Sequence, residues 1–237
     1  METLFLIVFS FLTSTFTGSI GIGGGIMLLT VMPGLLPAAA IIPVHGAVQI
    51  ASNCSRVLLG LRYVQWRIFW PFSVGAVVGA LLGSRLVMRL PTEHMPLVLG
   101  LFILLVTWVP LPAKAFRLPG HYALLGAVQT ALSLFVGATG PLTNAFLLRE
   151  DLPRDRLVNT AAIVMMVTHL LKVLVFGFLG FAFAPHLPLI AGMIVAVSLG
   201  SYVGTQLRGR LSETLFRRIF KGAVTVLALR MTVNALL

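Results

Sequence analysis

The sequence predicts an all-α, polytopic integral membrane protein with about eight transmembrane helices. Its 237 residues are 58% hydrophobic and only 10% charged, whereas soluble domains carry roughly 25% charged residues. No Asp, Glu, Lys or Arg occurs between Glu2 and Arg56, or between Lys172 and Arg208. Because a helix needs about 20 apolar residues to cross a bilayer, each charge-free run is long enough for one or two crossings.

Proline, glycine and charge clusters divide the chain into apolar segments. We expect these segments at residues 3–31, 36–60, 67–88, 94–112, 120–148, 155–182, 186–207 and 214–235. The first and fifth are longer than one crossing requires, and each contains a glycine-rich interruption, "GIGGGIMLL" from residue 21 and "GATGPLTNA" from residue 137. Glycine is unfavourable inside a helix, so we expect both segments to be broken there.

The two glycine-rich stretches align at an offset of 116 residues, and the same offset carries Arg56 onto Lys172. Further along, a short insertion changes the offset to 121, which aligns Gly79 with Gly200. Two blocks in the same order predict an internal duplication, although chance agreement in a glycine-rich chain is the alternative.

The duplication divides a single membrane domain into two four-helix repeats, residues 1–118 and 119–237. With four complete crossings in each half, both repeats are expected to share one orientation, around an axis along the membrane normal.

The distribution of basic residues predicts how the chain is oriented. With the N-terminus outside, the inner loops hold Arg85, Arg89, Arg149, Arg154, Arg156, Arg208, Arg210, Arg217, Arg218 and Lys221. The outer loops hold only Arg62, Arg67, Lys114 and Arg117. Positive charge favours the cytoplasmic side, so we expect a cell inner membrane protein with both termini on the outer side.

The net charge of +11 would suggest nucleic-acid binding in a soluble protein. Here the basic residues lie mostly in short loops, so the lipid bilayer is the expected partner and no nucleic acid is. The single cysteine, Cys54, excludes an intrachain disulfide and a multi-cysteine metal site. A dinucleotide site is also excluded, because "GIGGGI" has Ile26 at the last required glycine and lies in a transmembrane segment. No metal or cofactor is expected.

Lys172 is the first candidate binding residue, because it lies near the middle of the sixth segment with no acidic residue nearby in sequence. A cation inside the membrane usually faces a cavity or a partner. A bound anion could be that partner. The alternative is a lysine that reaches an interface or bonds to backbone carbonyls at a helix break.

Arg56 continues a polar stripe on the second segment. Gln49 and Asn53 precede it by seven and three residues, which places them on one side of a helix with His45 one turn further back. In the second half His169 lies three residues before Lys172. These side chains are candidates for orienting an anion; polar contacts between helices are the alternative.

The glycine breaks are the remaining candidate elements of the site. Stopping a helix inside the membrane exposes backbone N–H groups at the start of the next half-helix, which can bind an anion. The candidates are Gly21, Gly23, Gly24 and Gly25 in the first break, and Gly137, Thr139, Gly140, Pro141 and Asn144 in the second. Close helix packing is the alternative, and it is the preferred interpretation for Gly75, Gly79, Gly83, Gly200 and Gly204.

The glycine-rich first break, its echo "FVGATGPL", the "NCSR" stretch followed by "YVQWR", and the G-x-x-x-G third segment resemble the TauE/SafE sulfite exporter (TSUP) family. The resemblance extends over roughly residues 5 to 235. It implies a multi-pass inner-membrane protein with two related halves that moves sulfite, sulfonates or other small organic anions. The second break reads "GATGP" instead of a glycine triplet, so the halves need not contact substrate equally.

We therefore expect a secondary transporter that exports a small anion bound near the midplane between the repeats. A membrane scaffold or assembly factor is the alternative, and ligand-induced thermal stabilisation would separate the two. An enzyme is not expected, because no acid, base or metal cluster is evident. The oligomeric state stays open, a homo-oligomer included.

Overall fold

The computed structural model describes residues 1–21, 23–87, 95–109, 121–147, 150 and 152–208, together with residues 221–222, 225–226, 228–230 and 232–233. Within these ranges the chain is helical, and the β-type pairing is an isolated bridge between Pro33 and Leu36. The helices are α1 (Glu2–Ile20), α2 (Gly24–Val31), α3 (Ala38–Gly60), α4 (Trp66–Val87), α5 (Met95–Trp108), α6 (His121–Val136), α7 (Gly140–Leu147), α8 (Arg154–Phe178) and α9 (Leu187–Gln206).

Several helices have the length and surface expected in a bilayer. In the described part of the chain, α1, α4, α8 and the helical stretch 184–206 are long and apolar enough to cross a membrane. Helix α4 exposes Val74, Val78 and Leu81 and buries Gly75 and Gly79. Apolar side chains outside and small residues at helix contacts suit a lipid environment, which supports a membrane location. The number of eight crossings stays a prediction, since segment 214–235 lies largely outside the described residues.

Both predicted helix breaks are present. Helix α1 ends at Ile20 and α2 begins at Gly24, while α6 ends at Val136 and α7 begins at Gly140. The backbone takes left-handed φ values at Gly21 (99°), Gly23 (101°) and Gly137 (69°). Only glycine adopts this conformation without strain, which explains why the two stretches are glycine-rich.

Helix α2 folds back against α1 instead of continuing it. The Gly24 N–H donates to Thr17 Oγ1 at 2.9 Å. A Cβ atom on Gly24 would overlap both Thr17 Oγ1 and the Thr13 carbonyl oxygen, so α2 begins in direct contact with the preceding turns of α1. The first segment is therefore a full-length helix followed by a short returning helix.

Four helix termini meet at one end of the molecule, which we call the arginine end. Arg208, just after α9, donates from Nε to the carbonyl of Gly18 near the end of α1, at 3.1 Å. The Asn159 side chain, in the first turns of α8, packs against Gly60 at the end of α3. Helices α1, α3 and α9 therefore end at the arginine end, and α8 begins there.

The halves of the chain run in opposite directions, which overturns the expectation of a shared orientation. Gly46 contacts the Lys172 side chain and Gly60 contacts Asn159, so α3 and α8 are antiparallel. Helix α4 starts at the arginine end, where the Gln65 N–H donates to Thr160 Oγ1 at 3.0 Å, and α6 runs parallel to it. The prediction failed because it counted α1 with α2 as one crossing, whereas α2 returns the chain.

The predicted sides of several basic residues change for the same reason. Arg67, expected in an outer loop, pairs with Glu150 at 2.8 Å and lies with Arg62 at the arginine end, where Arg154 and Arg208 also lie. Arg85, expected inside, lies near the other end of α4. Outside the described residues are Arg89, Lys114, Arg117, Arg149, Arg210, Arg217 and Arg218.

The packing role predicted for the regularly spaced glycines is confirmed. A Cβ atom on Gly79 would overlap the Ala127 carbonyl oxygen of α6, and one on Gly200 would overlap the Phe11 carbonyl oxygen of α1. The two glycines differ by 121 residues and their two partners by 116, which are the offsets of the predicted repeat.

We expect Gly79→Ala and Gly200→Ala each to lower the free energy of unfolding by about 2 kcal/mol, since the added methyl group must push two helix backbones apart. The matched control is Gly177→Ala in α8, where a Cβ atom would meet only Phe183 at 4.0 Å. Alanine favours helix by up to about 1 kcal/mol, so this control should be neutral or stabilising. Unfolding by SDS titration in mixed micelles measures all three. Equal stability of the Gly79 and Gly177 variants would contradict the packing role.

Candidate functional site

A buried polar cluster lies where α3, α8 and the second break meet, and we call it the central cluster (His45, His169 and Lys172). The Lys172 side chain is fully buried. Its Nζ donates to the Gly137 carbonyl oxygen at 2.5 Å and lies 3.1 Å from His169 Nδ1. An ammonium group has three N–H donors, so two of them have partners among the described residues. The described contacts leave the third available.

His45 brings the first break to the same place. Its Nε2 lies 2.9 Å from the Gly25 carbonyl oxygen, and its ring lies edge-on to His169 with centroids 5.6 Å apart. Because Nε2 donates to a carbonyl, Nδ1 is the acceptor in the neutral ring. His45 Nδ1 is buried and has no hydrogen-bond partner in the described part of the chain. The central cluster thus connects both breaks and retains hydrogen-bonding capacity.

The predicted polar stripe on α3 is present, and all of its members are buried. Gln49 packs beside Gly25. A Cβ atom built on Gly25 would lie 3.4 Å from the Gln49 side chain, which is close van der Waals contact. Asn53 donates from Nδ2 to the Gln49 carbonyl at 2.8 Å and accepts from Arg56 NH2 at 2.5 Å. The stripe is therefore a buried row along α3, in which Gln49, Asn53 and Arg56 are bonded to one another.

The structure does not bring Arg56 and Lys172 together. Gly46 is the residue of α3 level with Lys172, and Arg56 lies ten residues further along the same helix. At 1.5 Å per residue this is a separation of about 15 Å along the axis. Lys172 belongs to the central cluster, while Arg56 lies toward the arginine end.

The breaks present two carbonyl oxygens to the central cluster, while anion binding by their N–H groups stays a prediction. Gly25 and Gly137 each offer a carbonyl, to His45 and Lys172, and the Gly24 N–H is already bonded to Thr17. This matches the alternative interpretation of Lys172 as a lysine bonded at a helix break. Gly25 lies in the first turn of α2, and Gly137 directly follows the last residue of α6.

The other residues predicted in the two breaks differ in their burial and in their hydrogen-bond partners. Thr139 Oγ1 and Asn144 Oδ1 are buried without partners among the described residues, and Asn144 Nδ2 donates to the Gly140 carbonyl at 3.0 Å. Pro141 follows at the second position of α7, where a missing N–H is tolerated. Gly21 packs against Val158, away from the central cluster, and Gly23 supplies the N-cap of α2.

Two hydroxyl networks were missed by the sequence interpretation. Ser14 Oγ of α1 lies 3.0 Å from Ser52 Oγ of α3 and 2.8 Å from Ser201 Oγ of α9. In the second half, Thr130 Oγ1 of α6 lies 3.5 Å from Thr168 Oγ1 of α8. A regular row of hydroxyl residues on α1 was the available signal, since Ser10, Thr13, Ser14 and Thr17 share one face.

Gln129 extends the second network and was also missed. It accepts from Thr143 Oγ1 at 2.7 Å, which ties α6 to α7 across the second break. Among the described residues, no group of three or more His, Cys, Asp or Glu side chains is placed to hold a metal ion, so we assign no metal ligand.

Comparison with known proteins places the chain in one family. The model of the family described as "Sulfite exporter TauE/SafE" matches residues 6–231. Neither the curated proteins nor the solved structures contain a significant match.

Proposed function

Because this chain belongs to the TauE/SafE sulfite exporter family, a family of membrane transporters, we propose that it is a secondary transporter exporting a small anion. The substrate class is sulfite, a sulfonate or a related organic acid. The supporting observation is the central cluster, because a fully buried lysine lies between two helix breaks and none of the described carboxylates bonds to it. Intramembrane cations are costly and usually functional.

The proposed contacts use groups that the fold leaves unpaired. Lys172 would offer its third N–H to the anion, and His169 lies beside it. Thr139, the unpaired hydroxyl of the second break, would add a neutral donor. Gln49, next to Gly25, would line the side facing the first break. These assignments place the substrate between the halves of the chain.

The two halves would be inverted repeats, 1–118 and 119–237, related by an axis in the membrane plane. Equivalent pairs support this arrangement: Ser14 with Ser52 corresponds to Thr130 with Thr168 at an offset of 116. The antiparallel packing of α3 and α8 supports the inversion. Inverted repeats with broken helices allow alternating access by rocking one repeat against the other.

The arginine end would face the cytoplasm. It collects Arg62, Arg67, Arg154, Arg156 and Arg208, and basic residues favour the cytoplasmic side. Met1 begins α1, which ends at the arginine end, so the N-terminus would lie outside. This keeps the proposal of an inner-membrane protein with both termini on the outer side.

Proton coupling, where it operates, would involve the histidines of the central cluster. In the sequence, the acidic residues lie at the N-terminus, between the apolar segments or at the start of one. Among those that the structure describes, Glu2 and Asp155 lie in the first turn of a helix. Imidazole changes charge near neutral pH in water, which makes His45 and His169 the available groups. The substrate anion itself can also carry the proton.

A ligand screen with a flux assay tests the proposal. Purified protein is heated with sulfite, methanesulfonate, sulfate or acetate, and one of these should raise the melting temperature by a few degrees at tenfold excess over Kd. The stabilising anion should also leave loaded proteoliposomes faster than protein-free vesicles. Absence of both stabilisation and flux for all four anions would favour the scaffold alternative.

A further inference from the structure

A cavity of about 430 Å³ lies at the arginine end, between α3, α8 and α9 and separate from the central cluster. We call it the arginine cavity. Its volume falls within the range of small-molecule sites. Its polar lining includes Arg56, Tyr63, Arg154, Asn159, Thr205 and Arg208.

Arg56 is the buried cation of the arginine cavity. Only 4% of its surface is exposed. Its NH2 donates to Asn53, but its buried NH1 has no partner among the residues that the structure describes. A guanidinium group stays charged in proteins, and an unpaired buried charge is unfavourable. A negatively charged ligand in the cavity would satisfy this group.

The remaining charges of the cavity also favour an anion. Arg154 donates to the Ser19 carbonyl at 2.8 Å, and Arg208 pairs with Asp155 at 2.6 Å. Three arginines and one carboxylate line the cavity, which leaves two positive charges in excess. A cleft lined by one sign of charge concentrates the opposite ion.

We propose that the arginine cavity is a second anion site, in which a small soluble oxyanion binds Arg56 before reaching the central cluster. The role of this site in transport rests on the proposed function, whereas the site itself rests on the unpaired Arg56 side chain. The buried residues Asn53 and Gln49 lie on α3 between Arg56 and His45, in the direction that leads from the cavity to the central cluster. A phospholipid headgroup carries the same oxyanion chemistry, and the experiment separates the two sources.

Of the cavity's three arginines, Arg56 has a cationic equivalent, Lys172, whereas the other two do not. At an offset of 116 residues Arg154 corresponds to Ala38 and Asn159 to Pro43, and at 121 Arg208 corresponds to Val87. Under the proposed repeat, the equivalent position at the opposite end therefore lacks counterparts of Arg154 and Arg208. A loading site at one end suits net movement in one direction.

Isothermal titration of the protein in neutral phosphatidylcholine nanodiscs with sodium sulfite, and separately with sodium methanesulfonate, tests the site. At least one of the two should bind, and Arg56→Gln should raise its Kd about 10- to 100-fold by removing a charge-assisted hydrogen bond. Arg56→Lys should recover part of the affinity. Arg156→Gln is the matched control, since Arg156 is exposed in the first turn of α8 and does not line the cavity.

Thr205→Phe fills the cavity without removing a charge, so it should weaken binding even where the Arg56→Gln protein fails to fold. Unchanged Kd in both Arg56→Gln and Thr205→Phe would overturn the proposal. No binding of either soluble anion in neutral lipid, together with a rise in melting temperature on adding phosphatidylglycerol that Arg56→Gln abolishes, would assign the site to a headgroup and also overturn it. Anion binding without flux would refute the transport function alone.

Discussion

Lys172→Gln and Lys172→Ala are expected to lower the initial rate of anion efflux from proteoliposomes between about 10- and 100-fold. The ammonium group is fully buried, so its hydrogen bond to an anion is not screened by water, and charged hydrogen bonds of this kind contribute about 1.5–3 kcal/mol. Glutamine can still donate to the Gly137 carbonyl, which keeps the second break tied to α8.

Lys221→Gln is the matched control, because it removes the same charge from an exposed lysine that lies over the Trp108 ring at 5.4 Å. Efflux by this variant should equal that of the unmodified protein. Unchanged efflux by both Lys172 variants would remove Lys172 from the substrate site. Lys172 would then remain a structural tie between α8 and the Gly137 carbonyl.

Gly24→Ala is expected to lower the free energy of unfolding by about 3 kcal/mol. The added methyl group would overlap the Thr13 carbonyl and Thr17 Oγ1, and the Gly24 N–H bond to Thr17 would be lost as the chain moves. Because α2 carries the Gly25 carbonyl that His45 contacts, transport should fall with stability.

Gly140 is the position equivalent to Gly24 at the offset of 116 residues, and a Cβ atom there would meet no described atom within 4 Å. Gly140→Ala should therefore change stability by less than about 0.5 kcal/mol. SDS titration of the two variants side by side measures the difference. Equal effects would mean that the two breaks pack alike, contrary to the contacts of Gly24.

Residues on a single helix could be placed from the sequence because helical spacing alone decides which side chains share a face. The α3 stripe and the two breaks are examples, since a polar row in an apolar run and a glycine cluster are local signals. The contact partners of those residues could not be predicted. Arg56 and Lys172 are equivalent by offset. Because the halves run in opposite directions, Arg56 nevertheless lies about 15 Å further along the α3 axis than Gly46, the residue level with Lys172.

The sequence by itself determined a helical membrane protein of the TauE/SafE type, the positions of both breaks, and the glycines that let helices approach each other. The direction of each half was decided only by the tertiary structure, because a short returning helix such as α2 has the same apolar composition as a continuing one. Whether α2 returns the chain or continues α1 depends on whether the Gly24 backbone packs against Thr13 and Thr17. That contact is nonlocal in its consequences, since it reverses α3, α4 and α6 relative to the directions predicted from the sequence.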